Sequence, residues 1–278
     1  MRAPIPPASV PRASTGIPGL DPLIEGGFPR HRAVLLRGRP GTGKTLFGLQ
    51  FLVNGLASRE RGALVSVDEK PDHVIADARA FGWDLQQAIL AGDLAVLDAS
   101  PYFTATRRRG WGPSGVDARQ LSSDLIQQIR AVGAHRLVID SLTSLVPMDM
   151  PPADVQNYLR SLIQSFEDNF GCTCLLTWRL SASRRPDAQG SGDAAEYLAS
   201  GVIDLEIAPA RPAIGLVKTG VSRVYDRRLV LRKMRGTALD PAAYPLTIDR
   251  SGGLLVAQPA ESGTVREFAA VGSLCFRS

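Results

Sequence analysis

One eight-residue segment has the residue types and spacing needed to hold the phosphates of a nucleotide. Residues 38–45, G-R-P-G-T-G-K-T, fit the phosphate-loop pattern G-x-x-x-x-G-K-[ST]. The glycines Gly38, Gly41 and Gly43 let the backbone turn its N–H groups, including that of Thr42, towards phosphate oxygens. An apolar run precedes the segment and a helical pattern follows it, which is the strand–loop–helix order that this motif requires.

The last two residues of the segment carry the side chains that act on the nucleotide. Lys44 is predicted to reach the β- and γ-phosphates, and Thr45 to place its hydroxyl on Mg²⁺. The chain has 32 Lys and Arg residues, of which only four are Lys. Because arginine is the default cation here, a lysine at this position indicates a need for a compact ammonium group, and a chance match is improbable.

A second segment, R-L-V-I-D-S at 136–141, has the form of a buried strand that ends in an acid. In an open parallel sheet, the carboxyl ends of the strands face the ligand. Asp140 is therefore predicted to hold Mg²⁺ through water, opposite Thr45.

Hydrolysis also needs a group that orients the attacking water, and the pair Asp68-Glu69 is the candidate. These acids follow the strand after the phosphate-loop helix, so they should lie at the same edge of the sheet. Glu69 is the first choice for the general base and Asp68 the second. An equally good interpretation is an acid pair stabilised at the N-terminus of the helix that begins near Pro71.

Length and composition indicate one large globular domain. The chain has 278 residues, of which 44% are hydrophobic and 21% charged, with a net charge of +5. We expect a flexible tail at 1–13, a nucleotide-binding domain at 14–257 and a second tail at 258–278. No apolar run is long enough to span a membrane, and the proline-rich start does not resemble a signal peptide. Three cysteines make no disulfide framework, so we expect a cytoplasmic protein.

The elements that must position these residues alternate between strands and helices. This alternation predicts an α/β fold with a mostly parallel central sheet flanked by helices. Beyond about residue 200, short strands separated by turns predict an antiparallel, hairpin-rich extension. The predicted strands are 33–37, 63–67, 94–97, 136–139, 172–177, 202–207, 214–218, 229–234, 246–248 and 254–256, and the predicted helices are 44–58, 71–81, 84–91, 117–132 and 153–170.

Several segments together resemble the KaiC family, a branch of the RecA-like ATPases with a phosphate loop. The resemblance runs in family order from about residue 14 to 257. It implies a single KaiC-like domain that binds ATP and Mg²⁺, hydrolyses ATP and forms a ring, typically a homohexamer, with nucleotide between subunits. The segments are STGIPGLD at 14–21, the phosphate loop, SVDEKP at 66–71, FGWD at 81–84, LDASP at 97–101, IDSLTS at 139–144 and KMRGT at 233–237.

The resemblance also implies roles for residues away from the phosphate loop. Asp68-Glu69 corresponds to the family's paired catalytic glutamates, with a shorter acid in the first position, which favours Glu69 as the base. Lys233 and Arg235 match the segment that reaches the nucleotide of the neighbouring subunit. A cation supplied in this way would stabilise charge on the transferring phosphoryl group. The alternative is a basic strand that discourages aggregation.

Other partners and activities remain open at this stage. Residues 194–204 lack the adjacent Ser-Thr pair that the clock protein of this family phosphorylates, which speaks against clock-type autophosphorylation but leaves autokinase activity open. The loop at about 99–116 interleaves arginines with aromatic residues, and the loop at about 179–193 carries arginines among Ser, Gly and Pro. Both suit single-stranded nucleic acid, or are simply solvated. A regulatory protein partner is also possible, with ATP acting mainly as a switch ligand.

Overall fold

The computed structural model describes residues 10–100, 126–146, 150–180, 194–209, 225–240 and 242–257. The helices are α1 (Lys44–Ala57), α2 (Pro71–Arg79), α3 (Leu85–Leu90), α4 (Leu142–Leu145) and α5 (Pro152–Phe170), and residues 126–132 and 194–198 are also helical. The strands are β1 (Arg12–Ala13), β2 (Phe28–Pro29), β3 (Ala33–Gly38), β4 (Gly62–Ser66), β5 (Leu94–Asp98), β6 (Arg136–Asp140), β7 (Thr173–Arg179), β8 (Gly201–Pro209), β9 (Tyr225–Met234), β10 (Ala243–Asp249) and β11 (Gly253–Val256).

Nine of these strands form one sheet in the order β11-β10-β9-β8-β3-β7-β6-β4-β5. From β8 to β5 neighbouring strands are parallel, whereas β9, β10 and β11 are added as antiparallel neighbours. The predicted α/β architecture and its antiparallel extension are both present. Strand β3, which leads into the phosphate loop, lies between β7 and β8, so its C-terminal end is supported on both sides.

Apolar side chains cover both faces of the sheet. On β3, Val34 and Leu36 belong to the core under α1, while Ala33 and Leu35 belong to the core under α5. Strands buried on both faces read as continuous hydrophobic runs rather than as alternating patterns. The sheet is therefore held from both sides at the strand that carries the loop.

Two arginines that are shielded from solvent fasten the strands around this region. Arg37, which directly precedes the loop, donates to both carboxylate oxygens of Asp204 on β8, at 2.6 and 3.0 Å. Arg136, only 2% exposed, donates to Glu60 at 2.6 Å and to the carbonyl of Phe51 on α1 at 2.8 Å. A buried arginine with several acceptors is stable only while those partners remain in place, so these contacts fix β3 to β8 and β6 to α1.

The predicted limits of the domain need one correction. Arg12–Ala13, which we assigned to the flexible tail at 1–13, forms a short antiparallel pair with Phe28–Pro29, and Ala13 is fully buried. The folded part therefore begins before residue 14. The predicted strand at 214–218 and the predicted tail at 258–278 lie outside the described residues, as does most of the predicted helix at 117–132.

Candidate active site

The phosphate loop joins the end of β3 to the start of α1, and glycine is required at three of its positions. Gly43, the residue before α1, has φ +105°, a left-handed conformation that side chains with a Cβ rarely adopt. At Gly38, a Cβ would lie 2.5 Å from the Thr42 hydroxyl oxygen and 2.9 Å from the Leu205 carbonyl oxygen. Gly41 also has a positive φ, of +81°, which disfavours other residues even though the space around it is open. These three glycines shape the loop, and α1 begins directly after it.

Lys44 lies against the loop that it follows. Its ammonium nitrogen donates to the Gly38 carbonyl at 2.8 Å and to the Arg39 carbonyl at 3.0 Å. Burial lowers the pKa of Lys44; the carboxylate of Asp140 opposes this shift, and the positive charge of Arg179 adds to it. A desolvated ammonium group held by two neutral carbonyls has much to gain from a phosphate anion.

Thr45 and Asp140, which the sequence places 95 residues apart, are in contact. The Thr45 hydroxyl donates to one carboxylate oxygen of Asp140 at 2.6 Å, and the Thr177 hydroxyl donates to the other. A hydroxyl oxygen and a carboxylate oxygen this close are suitable ligands for Mg²⁺, which usually keeps water and phosphate oxygens as its other ligands. Among the described residues, no cluster of three or more His, Cys, Asp or Glu could hold a metal ion. The Thr45 hydroxyl and the Asp140 carboxylate are a donor set that fits a Mg²⁺ whose other ligands are water and phosphate oxygens.

The two candidate bases, Asp68 and Glu69, differ sharply in their contacts. Asp68 accepts hydrogen bonds from the Ser141 hydroxyl at 2.9 Å, from the Ser144 hydroxyl at 2.6 Å and from Arg179 at 2.7 Å. The Glu69 side chain is exposed, and within the described part of the chain no hydrogen bond to its carboxylate is found. Its backbone carbonyl accepts a hydrogen bond from Ser66 at 2.6 Å, which fixes the turn after β4. Glu69 therefore keeps a carboxylate that is available to a water molecule.

Four residues of this site were missed by the sequence analysis: Ser141, Ser144, Thr177 and Arg179. Each lies within or just after a parallel strand whose C-terminal end faces the loop, and that position was the available signal. Arg179 was instead grouped with a nucleic-acid loop because it precedes a run rich in Arg and Ser. In the structure it pairs with Asp68.

Lys233 and Arg235 lie away from the phosphate loop of their own chain. Lys233 of β9 lies opposite Val202 of β8, and Val202 lies opposite Leu35 of β3. The Arg235 N–H donates to the Ser200 carbonyl, which lies still nearer the start of β3. Leu35 precedes Gly38 by three residues, so Lys233 is displaced from the loop by about 10 Å along the strand direction alone.

The immediate surroundings of these two cations differ. The Lys233 ammonium nitrogen donates to the carbonyls of Glu196, at 3.1 Å, and Tyr197, at 3.0 Å. Burial lowers the pKa of Lys233, and the neighbouring positive charge of Arg235 acts in the same direction, against the charge of Glu196. The Arg235 side chain is exposed. The fold therefore does not bring these residues into the site formed by Lys44, Thr45 and Asp140.

The structure leaves one further prediction untested. Most of the two basic loops predicted at 99–116 and 179–193 lies outside the described residues, so binding of single-stranded nucleic acid stays a prediction. Within the described residues, no helix is long and apolar enough to cross a membrane.

Comparisons with known proteins give one consistent result. The model of the family described as "ATPase: KaiC" matches residues 13–261. A UPF0273 protein from Pyrobaculum aerophilum is 34% identical over 249 residues, covering 88% of this chain and 82% of that protein. A UPF0273 protein from Thermotoga maritima is 31% identical over 263 residues, covering 92% of this chain and 100% of that protein.

A solved structure agrees with these sequence matches. The crystal structure of the KaiC-like protein PH0186 from Pyrococcus horikoshii superimposes with a TM-score of 0.69 at 28% identity, covering 90% of this chain and 100% of that one. The family resemblance and the fold class predicted from the sequence are both confirmed.

Proposed function

This chain belongs to the KaiC family of ATPases, and we propose that it hydrolyses Mg-ATP within a homohexameric ring. Each nucleotide would lie between two subunits, and its state would set the conformation that a regulatory partner recognises. The nucleotide-binding phosphate loop is common to the family; hydrolysis, the ring and the switch are our inferences for this chain.

The contact between Thr45 and Asp140 beside the Lys44 ammonium group carries the proposal. The Thr45 hydroxyl and the Asp140 carboxylate are 2.6 Å apart, and Lys44 contacts the carbonyl of Gly38 at the mouth of the same loop. A metal-binding pair and a phosphate-binding cation next to one another are what a Mg-nucleotide needs. When bound, Mg²⁺ would be held by Thr45 and Asp140 and would neutralise charge on the β- and γ-phosphates.

The two acids after β4 would divide the remaining work. Glu69, with its exposed carboxylate, would orient the attacking water and accept its proton. Asp68 already accepts hydrogen bonds from Ser141, Ser144 and Arg179, so its role would be to connect the turn after β4 with the ends of β6 and β7. This division favours Glu69 over Asp68 as the general base, in agreement with the preference from the sequence.

The placement of Lys233 supports a ring. Lys233 lies about 10 Å from its own loop along the strand direction, so its charge cannot serve its own nucleotide directly. Arg235, two residues further on, is exposed and free to reach another molecule. A head-to-tail interface repeated around a closed ring would bring such residues to the neighbour's nucleotide.

The direct test combines light scattering after size-exclusion chromatography with phosphate release, with and without Mg-ATP. We expect a hexamer in the presence of Mg-ATP and hydrolysis that depends on both Mg²⁺ and protein concentration. A monomer with full hydrolytic activity would contradict the proposed ring but support the proposed ATP hydrolysis. A hexamer that binds ATP without releasing phosphate would instead contradict the proposed hydrolysis and leave only the proposed role as a nucleotide-dependent switch.

Glu69→Gln should lower the rate of hydrolysis about 10²-fold while leaving the affinity for Mg-ATP within about twofold of wild type. Glutamine keeps the size of the side chain but cannot accept the proton of the attacking water. Steady-state phosphate release and calorimetric titration with a non-hydrolysable ATP analogue measure the two quantities.

Asp72→Asn is the matched control for Glu69→Gln, because Asp72 is an exposed acid in the first turn of α2, three residues away. It removes the same charge from the same region and should leave the rate unchanged. An equal fall in the rate of hydrolysis in the two variants would mean that Glu69 acts only through the negative charge of this region, not as the general base.

A further inference from the structure

Arg179 occupies a position beside the phosphate loop that the proposed mechanism has not used. It is the Cα partner of Gly38 in the parallel pair of β7 with β3. The next residue, Leu180, donates its N–H to the Gly38 carbonyl at 3.1 Å, and the same carbonyl accepts from Lys44 at 2.8 Å. The backbone of Arg179 is also fixed, because its N–H donates to the Thr143 hydroxyl at 2.7 Å. Its side chain thus starts from a rigid point at the loop's entrance.

The charged end of Arg179 is held by a contact that can be exchanged. It pairs with Asp68 at 2.7 Å, and the two side chains are 49% and 39% exposed. An ion pair exposed to this extent is weak, because water screens both charges. Asp68 does not depend on Arg179, since the hydroxyls of Ser141 and Ser144 also donate to its carboxylate.

Arg179 is near enough to Lys44, the residue expected to contact the phosphates, for its charge to affect the pKa of Lys44. The positive charge of Arg179 acts on Lys44 in the same direction as burial, lowering its pKa. Two cations that repel one another across a phosphate loop are both stabilised when an anion is placed between them. Guanidinium groups also match phosphate oxygens with two parallel hydrogen bonds, which a lysine cannot offer.

We propose that Arg179 binds the γ-phosphate of ATP within its own subunit, exchanging its pairing with Asp68 for the phosphate oxygens. This inference rests on the proposed nucleotide site and adds a means of telling ATP from ADP. ADP lacks the γ-phosphate, so with ADP bound Arg179 stays with Asp68. With ATP bound, Asp68 keeps only Ser141 and Ser144, and the turn that carries Glu69 is released from the end of β7.

Calorimetric titration of the full chain with Mg²⁺ and either a β,γ-imido ATP analogue or ADP tests this exchange. Arg179→Gln should weaken binding of the triphosphate about tenfold and leave ADP within about twofold of wild type, since a lost charged hydrogen bond is of this size. Asp68→Asn, which removes the competing carboxylate, should strengthen triphosphate binding by about threefold without changing ADP.

Arg61→Gln is the matched control. Arg61 also forms an exposed ion pair, with Asp93 at 3.2 Å, and its side chain is 53% exposed. It lies at the start of β4, at the opposite end of that strand from Asp68, and should leave both affinities unchanged. Circular dichroism and thermal unfolding of each variant check that the fold is retained.

The outcomes separate this inference from the proposed function. If the wild-type chain binds neither nucleotide, the nucleotide site and the role of Arg179 both fail. If the wild type binds both nucleotides and Arg179→Gln binds them as the wild type does, only the role of Arg179 fails. Equal weakening of ATP analogue and ADP by Arg179→Gln would also overturn it, because Arg179 would then support the loop rather than contact the γ-phosphate.

Discussion

Lys44→Ala should lower ATP hydrolysis by at least about 10³-fold and weaken the binding of Mg-ATP, because the half-buried ammonium group at the start of α1 would be gone. The Lys44 ammonium group is half-buried and contacts two loop carbonyls, at 2.8 and 3.0 Å. Without the ammonium group, those carbonyls would face the phosphates with no intervening positive charge. The loss should appear both in phosphate release and in calorimetric titration.

Two further variants make the Lys44 experiment decisive. Lys44→Arg keeps the charge but replaces a compact ammonium with a planar guanidinium, and we expect it to be almost as inactive as the alanine variant. Lys70→Ala removes an exposed lysine at the N-terminus of α2 and should hydrolyse ATP at the wild-type rate. Unchanged turnover in Lys44→Ala would remove the phosphate loop from the mechanism, whereas equal losses in Lys44→Ala and Lys70→Ala would indicate a general effect of net charge.

The sequence was sufficient to locate the parts of the candidate site that lie on single strands and their loops. The loop 38–45 and Asp140 were identified because glycine spacing and an acid at a strand end are local patterns. That Thr45 would meet Asp140 followed from the parallel topology alone, since the ends of parallel strands share one edge. The structure adds that the two residues are in direct contact.

The sequence favoured Glu69 over Asp68, but the contacts that distinguish the two acids could not be predicted, because they join distant parts of the chain. Asp68 is held by Ser141 and Ser144 after β6 and by Arg179 at the end of β7, and nothing near Asp68 in the sequence signals these partners. The local sequence therefore gives no sign of which of two adjacent acids is held by such contacts.

Two other features that the sequence did not predict also depend on contacts between distant residues. The strand Arg12–Ala13 was missed because a two-residue strand has no pattern of its own and depends on pairing with Phe28–Pro29. Arg136 was treated as part of an apolar strand, but its charge is satisfied inside the core by Glu60 and by backbone carbonyls. Arginine is rarely this buried, so composition alone predicts the opposite.

Lysines 44 and 233 present a contrast that bears on how the ring would work. Both ammonium groups are held by backbone carbonyls, and burial lowers the pKa of both. Lys44 makes its contacts inside its own loop, whereas Lys233 makes them with Glu196 and Tyr197, far from that loop. If both cations act on phosphates, they must act on phosphates bound to different subunits.

Lys233→Ala should therefore lower hydrolysis about 10³-fold while leaving the binding of Mg-ATP largely intact, since cations supplied across an interface act mainly on the transition state. Phosphate release measures the first quantity and titration with a non-hydrolysable analogue the second. Arg232→Ala is the matched control. Arg232 is next to Lys233 in the sequence, and its side chain is 48% exposed and pairs with Asp204 of the same chain. Loss of nucleotide binding in Lys233→Ala would assign Lys233 to its own subunit's site.

Mixing two inactive variants separates action across the interface from action within a subunit. In mixed rings of Lys44→Ala and Lys233→Ala subunits, an interface is complete when an intact loop from one variant meets an intact Lys233 from the other. Random assembly of equal amounts makes about one quarter of the interfaces complete, so activity should recover to about that fraction of wild type. Differently tagged subunits that purify together establish mixing. Mixed rings without recovered activity would mean that Lys44 and Lys233 must belong to the same subunit to act, because only action across the interface lets the two variants complement each other.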